Sequence, residues 1–188
     1  MTQPYITHTV RSKIADNAVF QDESAISNPA KAGFEEEIGR LLKDKRLSLA
    51  IGESCTGGLI GHRITNVPGS SAYFKGGIIA YSNELKMGIL HVSPDTLQAK
   101  GAVSEETALE MAKGVRDITG ADIGLAVTGI AGPEGGSREK PAGTVFIALY
   151  GSEKGMCKRF YLEGDRTEVK TGASQKALEM LRDYLLET

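Results

Sequence analysis

The segment LSLAIGESCTGG, residues 47–58, sets the reading of the whole chain. Its first half, LSLAIGE (47–53), is a short apolar run ending at a glycine, the pattern of a strand buried on both faces. Its second half, GESCTGG (52–58), packs a carboxylate, two hydroxyls, a thiol and two glycines into seven positions. A helix is predicted from Thr56 to about Asn66, stopped by VPGSS. A buried strand running directly into a helix is the unit of an α/β fold, and it makes Ser54 a strand-to-helix corner.

The flanking segments repeat that alternation. Phe34, Ile38, Leu41 and Leu42 recur at i, i+4, i+7 and i+8, the stripe of an amphipathic helix. YFKGGIIAYS (73–82) reads as a strand bulged at Gly76–Gly77, with a short helix near 83–90. Ser104 is an N-cap followed by Glu105 and Glu106, and its helix carries Ala108, Met111, Ala112, Val115 and Ile118 on one face. IGLAV (123–127) is a further buried strand. TVFIALY (144–150) and MCKRFYL (156–162), joined by GSEKG, form a hairpin. Asp165 with Glu168 spells a capping box for a last helix that buries Val169, Ala173, Ala177, Leu181 and Leu185. The predicted fold is a layered α/β/α domain with a mixed sheet over residues 31–188. Residues 1–30 mix Thr, Ser, Asn, Asp and Pro without periodicity and read as a peripheral or poorly ordered extension.

Composition narrows the function. The chain has 188 residues, 40% of them hydrophobic, enough for one domain with a real core. Its 22 basic and 24 acidic side chains leave a net charge of −2, and no basic block supports nucleic-acid binding. Two cysteines, Cys55 and Cys157, are too few for a disulfide scaffold and suit a reducing cytoplasm. No apolar run approaches the roughly 18 residues of a membrane span. The N-terminus lacks the basic start and apolar core of a secretory signal.

A serine at a strand-to-helix corner sits where unpaired backbone N–H groups point at whatever lies in front, the arrangement of a nucleophile elbow. Gly52-Glu53-Ser54-Cys55-Thr56 matches G-x-S-x-G only in part, because Thr56 replaces the second glycine. The competing reading is that Ser54 or Thr56 only caps the helix. None of the three histidines, His8, His62 and His91, has an acidic partner at a telling spacing, and no Cys, His or carboxylate cluster has metal-ligand spacing. Lysine is the other available base. It must fall from about 10.4 to about 7–8 to act near neutrality. AYSNELK (80–86) offers Lys86 just past a strand, although taken alone it reads as a solvated helix lysine. TGIAGPEGGSREKPAGT (128–144) is a long glycine-rich loop lacking both the Walker A and the G-x-G-x-x-G spacing. These residues suggest a small anionic ligand and do not name a reaction.

Five stretches in order resemble one family: ESCTGG (53–58), PGSSAYFKGGIIAYSNELK (68–86), GAVSEETALEMAKG (101–114), VTGIAGPEGGSREKPAGTV (127–145) and GDR (164–166). Together they are similar to the CinA C-terminal domain family over about residues 34–187. Stand-alone members of that family are nicotinamide mononucleotide deamidases. The resemblance implies a Ser/Lys hydrolase without metal or organic cofactor, acting on a small nucleotide. It implies Ser54 as nucleophile, Lys86 as base and Tyr81 as a hydrogen-bonding assistant. Thr56, Gly57, Gly58, Thr128, Gly129, Lys140 and Arg166 are the substrate-binding candidates by motif and chemistry, with helix-start N–H groups at Cys55 and Thr56 as the oxyanion hole. The larger N-terminal domain of many members, resembling molybdopterin-binding proteins, has no counterpart here, which favours a stand-alone deamidase, with a homo-oligomer open. The rival is a non-catalytic, nucleotide-binding accessory protein of competence or damage response.

Overall fold

The computed structural model describes residues 33–152 and 155–188; the extension assigned to residues 1–30 lies outside the described residues. The elements are α1 (Phe34–Lys45), β1 (Leu49–Glu53), α2 (Leu59–Thr65), a single 3-10 turn (Ser70–Ala72), β2 (Phe74–Ile79), α3 (Asn83–Gly88) and α4 (Pro94–Lys100). They continue with α5 (Glu105–Thr119), β3 (Ile123–Gly129), β4 (Thr144–Tyr150), β5 (Gly155–Tyr161) and α6 (Arg166–Glu187). The five strands form one sheet in the order β2-β1-β3-β4-β5. β1 is parallel to both β2 and β3, while β3–β4 and β4–β5 are antiparallel, so the sheet is mixed.

Strand alternation sorts the core by size. Leu49, Ile51, Ile123, Leu125, Val127, Val145, Ile147 and Leu149 project into one cluster with α1, α2 and α6. Ala50, Ala126, Phe146 and Ala148 project into the other, with Met111, Ala112 and Val115 of α5. Small residues on that second face let the α5 backbone approach the sheet closely. A Cβ at Gly124 would strike the Ala112 carbonyl oxygen, and one at Gly114 would strike that of Leu90. Gly114→Ala is therefore expected to lower stability by about 3 kcal/mol through overpacking against backbone, read as a clear drop in melting temperature. An unchanged melting temperature would contradict the close approach.

Four local features depart from the sequence reading. The helix expected from Thr56 begins only at Leu59, because Gly57 (φ 63°) and Gly58 (φ 98°) are left-handed and hold residues 54–58 in a turn. The bulge falls one residue early: Leu49 pairs with Phe74 and Ala50 with Gly76, leaving Lys75 as the extra residue. Helix α4 has no counterpart in the sequence reading, although Ser93 caps it and Pro94 occupies its first turn. Ile118 is 44% exposed, since burial along α5 ends at Val115. The capping predictions at Ser104 and at Asp165 with Glu168 match the observed helix starts. Among the described residues no helix is long and apolar enough to cross a membrane.

Candidate active site

Parallel strands β1 and β3 both end at the same edge of the sheet, where open α/β sheets hold their ligands. The chain leaves β1 at Glu53, and the Ser54 N–H is held by the Val127 carbonyl of β3 at 3.0 Å. Glu53 is only 2% exposed and turns its carboxylate back into the corner. Oε2 accepts from the N–H groups of Gly58 (2.9 Å) and Ile60 (3.2 Å), and Oε1 from Gly61 (2.8 Å). At the start of α2 the N–H groups of Ile60 and Gly61 are thus occupied by a side chain and are not free to bind a ligand. The N–H groups of Cys55 and Thr56 have no oxygen acceptor among the described residues and lie against the Cys55 sulfur. They belong to the turn and not to a helix start as expected.

Opposite that turn, β2 ends at Ile79 and the chain folds back through α3. Ser82 caps α3 by accepting from the Leu85 N–H at 3.3 Å, and one turn into the helix Lys86 points inward. Lys86 is 2% exposed, with Nζ 3.0 Å from Ser54 Oγ, 2.8 Å from the Ala80 carbonyl and 3.5 Å from the Tyr81 carbonyl. Among the described residues no carboxylate pairs with Nζ. Burial pulls the Lys86 ammonium below its ordinary range, opposed by weaker attractions to Cys55 and Glu84. A neutral amine has two N–H groups and one lone pair. In that state the two carbonyls, at 2.8 and 3.5 Å, can take the N–H groups and the lone pair can accept the Ser54 hydroxyl proton, whereas the ammonium donates to Ser54 Oγ.

Cys55 is buried beside Ser54, its Sγ packed 3.1 Å from where a Cβ on Gly129 would lie. Burial pushes its thiol up to about 12, so it carries no thiolate near neutral pH. Any reaction run at Ser54 is accordingly expected to stay within about tenfold of wild type in Cys55→Ala, since the change removes packing and not a thiolate. Complete loss of turnover in that variant would point to the thiol.

Ser54 and Lys86 open into a cleft of about 290 Å3 whose walls include Ser54, Cys55, Tyr81, Lys86, Thr128, Gly129 and Arg166. Gly129 must be glycine, because a Cβ would press on the Thr144 carbonyl at 2.9 Å as well as on Cys55. Thr128 spends its hydroxyl on the Ala102 carbonyl at 2.7 Å and shapes the wall. Arg166 donates to the Gly132 carbonyl (2.9 Å) and to the Tyr81 hydroxyl (2.7 Å), tying the start of α6 to the glycine-rich loop and to the tyrosine. Lys140 donates instead to the Lys100 carbonyl at 2.8 Å and does not line this cleft. Thr56, Gly57 and Gly58 face a different cleft on the far side of the turn. His62 sits on α2 against Asn66, His91 is an exposed loop residue, and His8 lies outside the described residues. Glu53, the Ala80 carbonyl and Asn83, which also lines the first cleft, were not foreseen from the sequence. Only the acidic residue directly before the serine was a visible signal.

The sequence profile of the CinA C-terminal domain matches residues 31–185. The chain belongs to this family. The CinA-like protein of Thermotoga maritima is 51% identical over 152 residues, which are 81% of this chain and 37% of that protein. The CinA-like protein of Geotalea uraniireducens is 50% identical over 149 residues, covering 79% of this chain and 36% of the relative. The chain thus spans less than half the length of these curated relatives. A crystal structure of a CinA superfamily protein from Enterobacter cloacae superposes with a TM-score of 0.79 at 32% identity, covering 95% of this chain and 99% of that one. The competence/damage inducible protein of Agrobacterium tumefaciens gives a TM-score of 0.75 at 41% identity, covering 81% and 94%. The layered fold with its mixed sheet is therefore the CinA fold.

Proposed function

We propose that this CinA domain hydrolyses the carboxamide of nicotinamide mononucleotide, giving nicotinic acid mononucleotide and ammonia. The observation that carries the reading is a buried lysine amine 3.0 Å from the hydroxyl of a serine at the strand end. That pair is suited to an acyl-enzyme route. Neutral Lys86 takes the Ser54 proton as Oγ attacks the amide carbon. The carbonyl oxygen becomes an oxyanion, for which the Cys55 and Thr56 N–H groups are candidate donors. The Lys86 ammonium then returns its proton to the departing nitrogen, and ammonia leaves. Water, deprotonated by Lys86, hydrolyses the ester and restores Ser54. Tyr81 and Arg166, linked to each other at the cleft mouth, bind and orient the nucleotide. A reducing cytoplasm is the compartment that suits a mononucleotide substrate.

A second reading is a non-catalytic, nucleotide-binding accessory protein, favoured by relatives named for competence and damage induction. Chromatography of a reaction started with nicotinamide mononucleotide separates the two. Hydrolysis of the amide makes nicotinic acid mononucleotide accumulate. Saturable binding with the mononucleotide recovered intact would overturn the deamidase reading.

A further inference from the structure

The turn that carries Ser54 has two sides. Ser54 and Cys55 face the hydrolytic cleft, whereas Thr56, Gly57 and Gly58 wall a second cleft of about 420 Å3. Helix α6 divides the same way: Arg166 lines the first cleft, and Thr167, Lys170 and Thr171 line the second. The two clefts therefore share one wall.

The donor set of the second cleft has one sign. No carboxylate lines it, and Lys170 has no ion pair among the described residues. Lys170 Nζ stands 3.7 Å from the point where a Cβ on Gly57 would be, directly over the left-handed turn. Thr167 and Thr171 are four residues apart and so share a helix face. Thr56 is 1% exposed, and its Oγ1 is buried with no hydrogen-bond partner among the described residues. A buried hydroxyl without a partner is unfavourable unless a bound water or a ligand completes it. Lys170, the imidazole of His62 and the hydroxyls of Thr56, Thr167 and Thr171, contributed by α6, α2 and the turn, match the several outward oxygens of a tetrahedral anion better than the two coplanar oxygens of a carboxylate.

We infer that this cleft binds a phosphate monoester. Two sources share that chemistry: the phosphate of the nucleotide substrate reaching round the turn from Ser54, or a separate phosphate-bearing effector. The first source rests on the deamidase reading, and the site itself does not.

The test is titration of the protein with inorganic phosphate, followed by amide chemical shifts, for wild type, Lys170→Ala, Thr56→Val and Arg166→Ala. Saturable shifts at Gly57, Thr167 and Thr171 are expected. Lys170→Ala should weaken the dissociation constant by about tenfold, the loss of one charge-assisted contact, and Arg166→Ala should leave these shifts in place. Failure of wild type to saturate, or loss of binding in Arg166→Ala but not in Lys170→Ala, overturns the site. The sources separate in turnover. If the substrate's own phosphate occupies the cleft, Lys170→Ala raises KM for nicotinamide mononucleotide and leaves that for nicotinamide riboside unchanged. If a separate ligand does, both KM values stay as in wild type while phosphate binding still falls. A protein that releases no ammonia yet binds phosphate through Lys170 contradicts the deamidase reading alone.

Discussion

Ser54→Ala is expected to remove turnover of nicotinamide mononucleotide, lowering kcat by at least about 10^3-fold as loss of a nucleophile does, with the fold intact. The hydroxyl is the only atom deleted, at a site 7% exposed. Its loss costs one hydrogen bond, about 1 kcal/mol, and Lys86 keeps the Ala80 carbonyl at 2.8 Å. Circular dichroism and the melting temperature should stay near wild type while product formation disappears. A variant that loses activity because it unfolds would not speak to the nucleophile. A folded variant with undiminished turnover would exclude Ser54 from that role.

Lys86→Met is expected to be as damaging to turnover, for a different reason. The thioether side chain fills the same buried channel but has no basic nitrogen, so Ser54 loses its proton acceptor. The effect on stability has the opposite sign. Burial lowers the Lys86 pKa in the folded state, so the unfolded chain holds its proton to higher pH than the fold does. In the window between the lowered value and the ordinary lysine value, stability rises with pH. Below that window the fold carries the full cost of a buried ammonium. Lys86→Met removes this cost, so at acid pH the variant should melt no lower than wild type. Activity follows the same ionisation: kcat/KM should climb with pH on an acid limb whose midpoint lies below the ordinary lysine range. Lys86→Arg keeps the positive charge but cannot deprotonate, and it should be inactive at every pH. An active Lys86→Arg variant would rule out proton transfer through residue 86.

The layers of the fold were open to sequence reading because their signals are local. LSLAIGE and IGLAV are continuous apolar runs, as strands covered on both faces must be, and Asp165 with Glu168 is a capping box whose reciprocal bonds form as expected. What the sequence hid depends on conformations and contacts that no spacing encodes. Gly57 and Gly58 fit a helical pattern on paper, yet their positive φ angles delay α2 to Leu59. Glu53 looked like one more polar residue, and it proves to hold three N–H groups of the following turn and helix. Ile118 obeys the period of α5, but it lies beyond the last buried position, Val115.

The candidate site was less open still. Ser54 and Lys86 stand 32 residues apart in the chain, and nothing in their separate surroundings pairs them. Only family resemblance joined them in the sequence reading, and the fold brings Nζ to 3.0 Å of Oγ. The same reasoning placed Lys140 with the substrate because cations suit anions, while the fold commits it to the Lys100 carbonyl. It also grouped Thr56 with Ser54 through the motif, where the turn sets them in two different clefts on either side of it.

The central claim is that the Ser54 hydroxyl, activated by Lys86, attacks an amide. Ammonia release from nicotinamide mononucleotide by the purified protein, with a chelator present throughout and Ser54→Ala beside wild type, tests it most directly. Steady release by wild type and none by the folded variant is the predicted result. Equal release by both proteins, or release that the chelator abolishes, would contradict it.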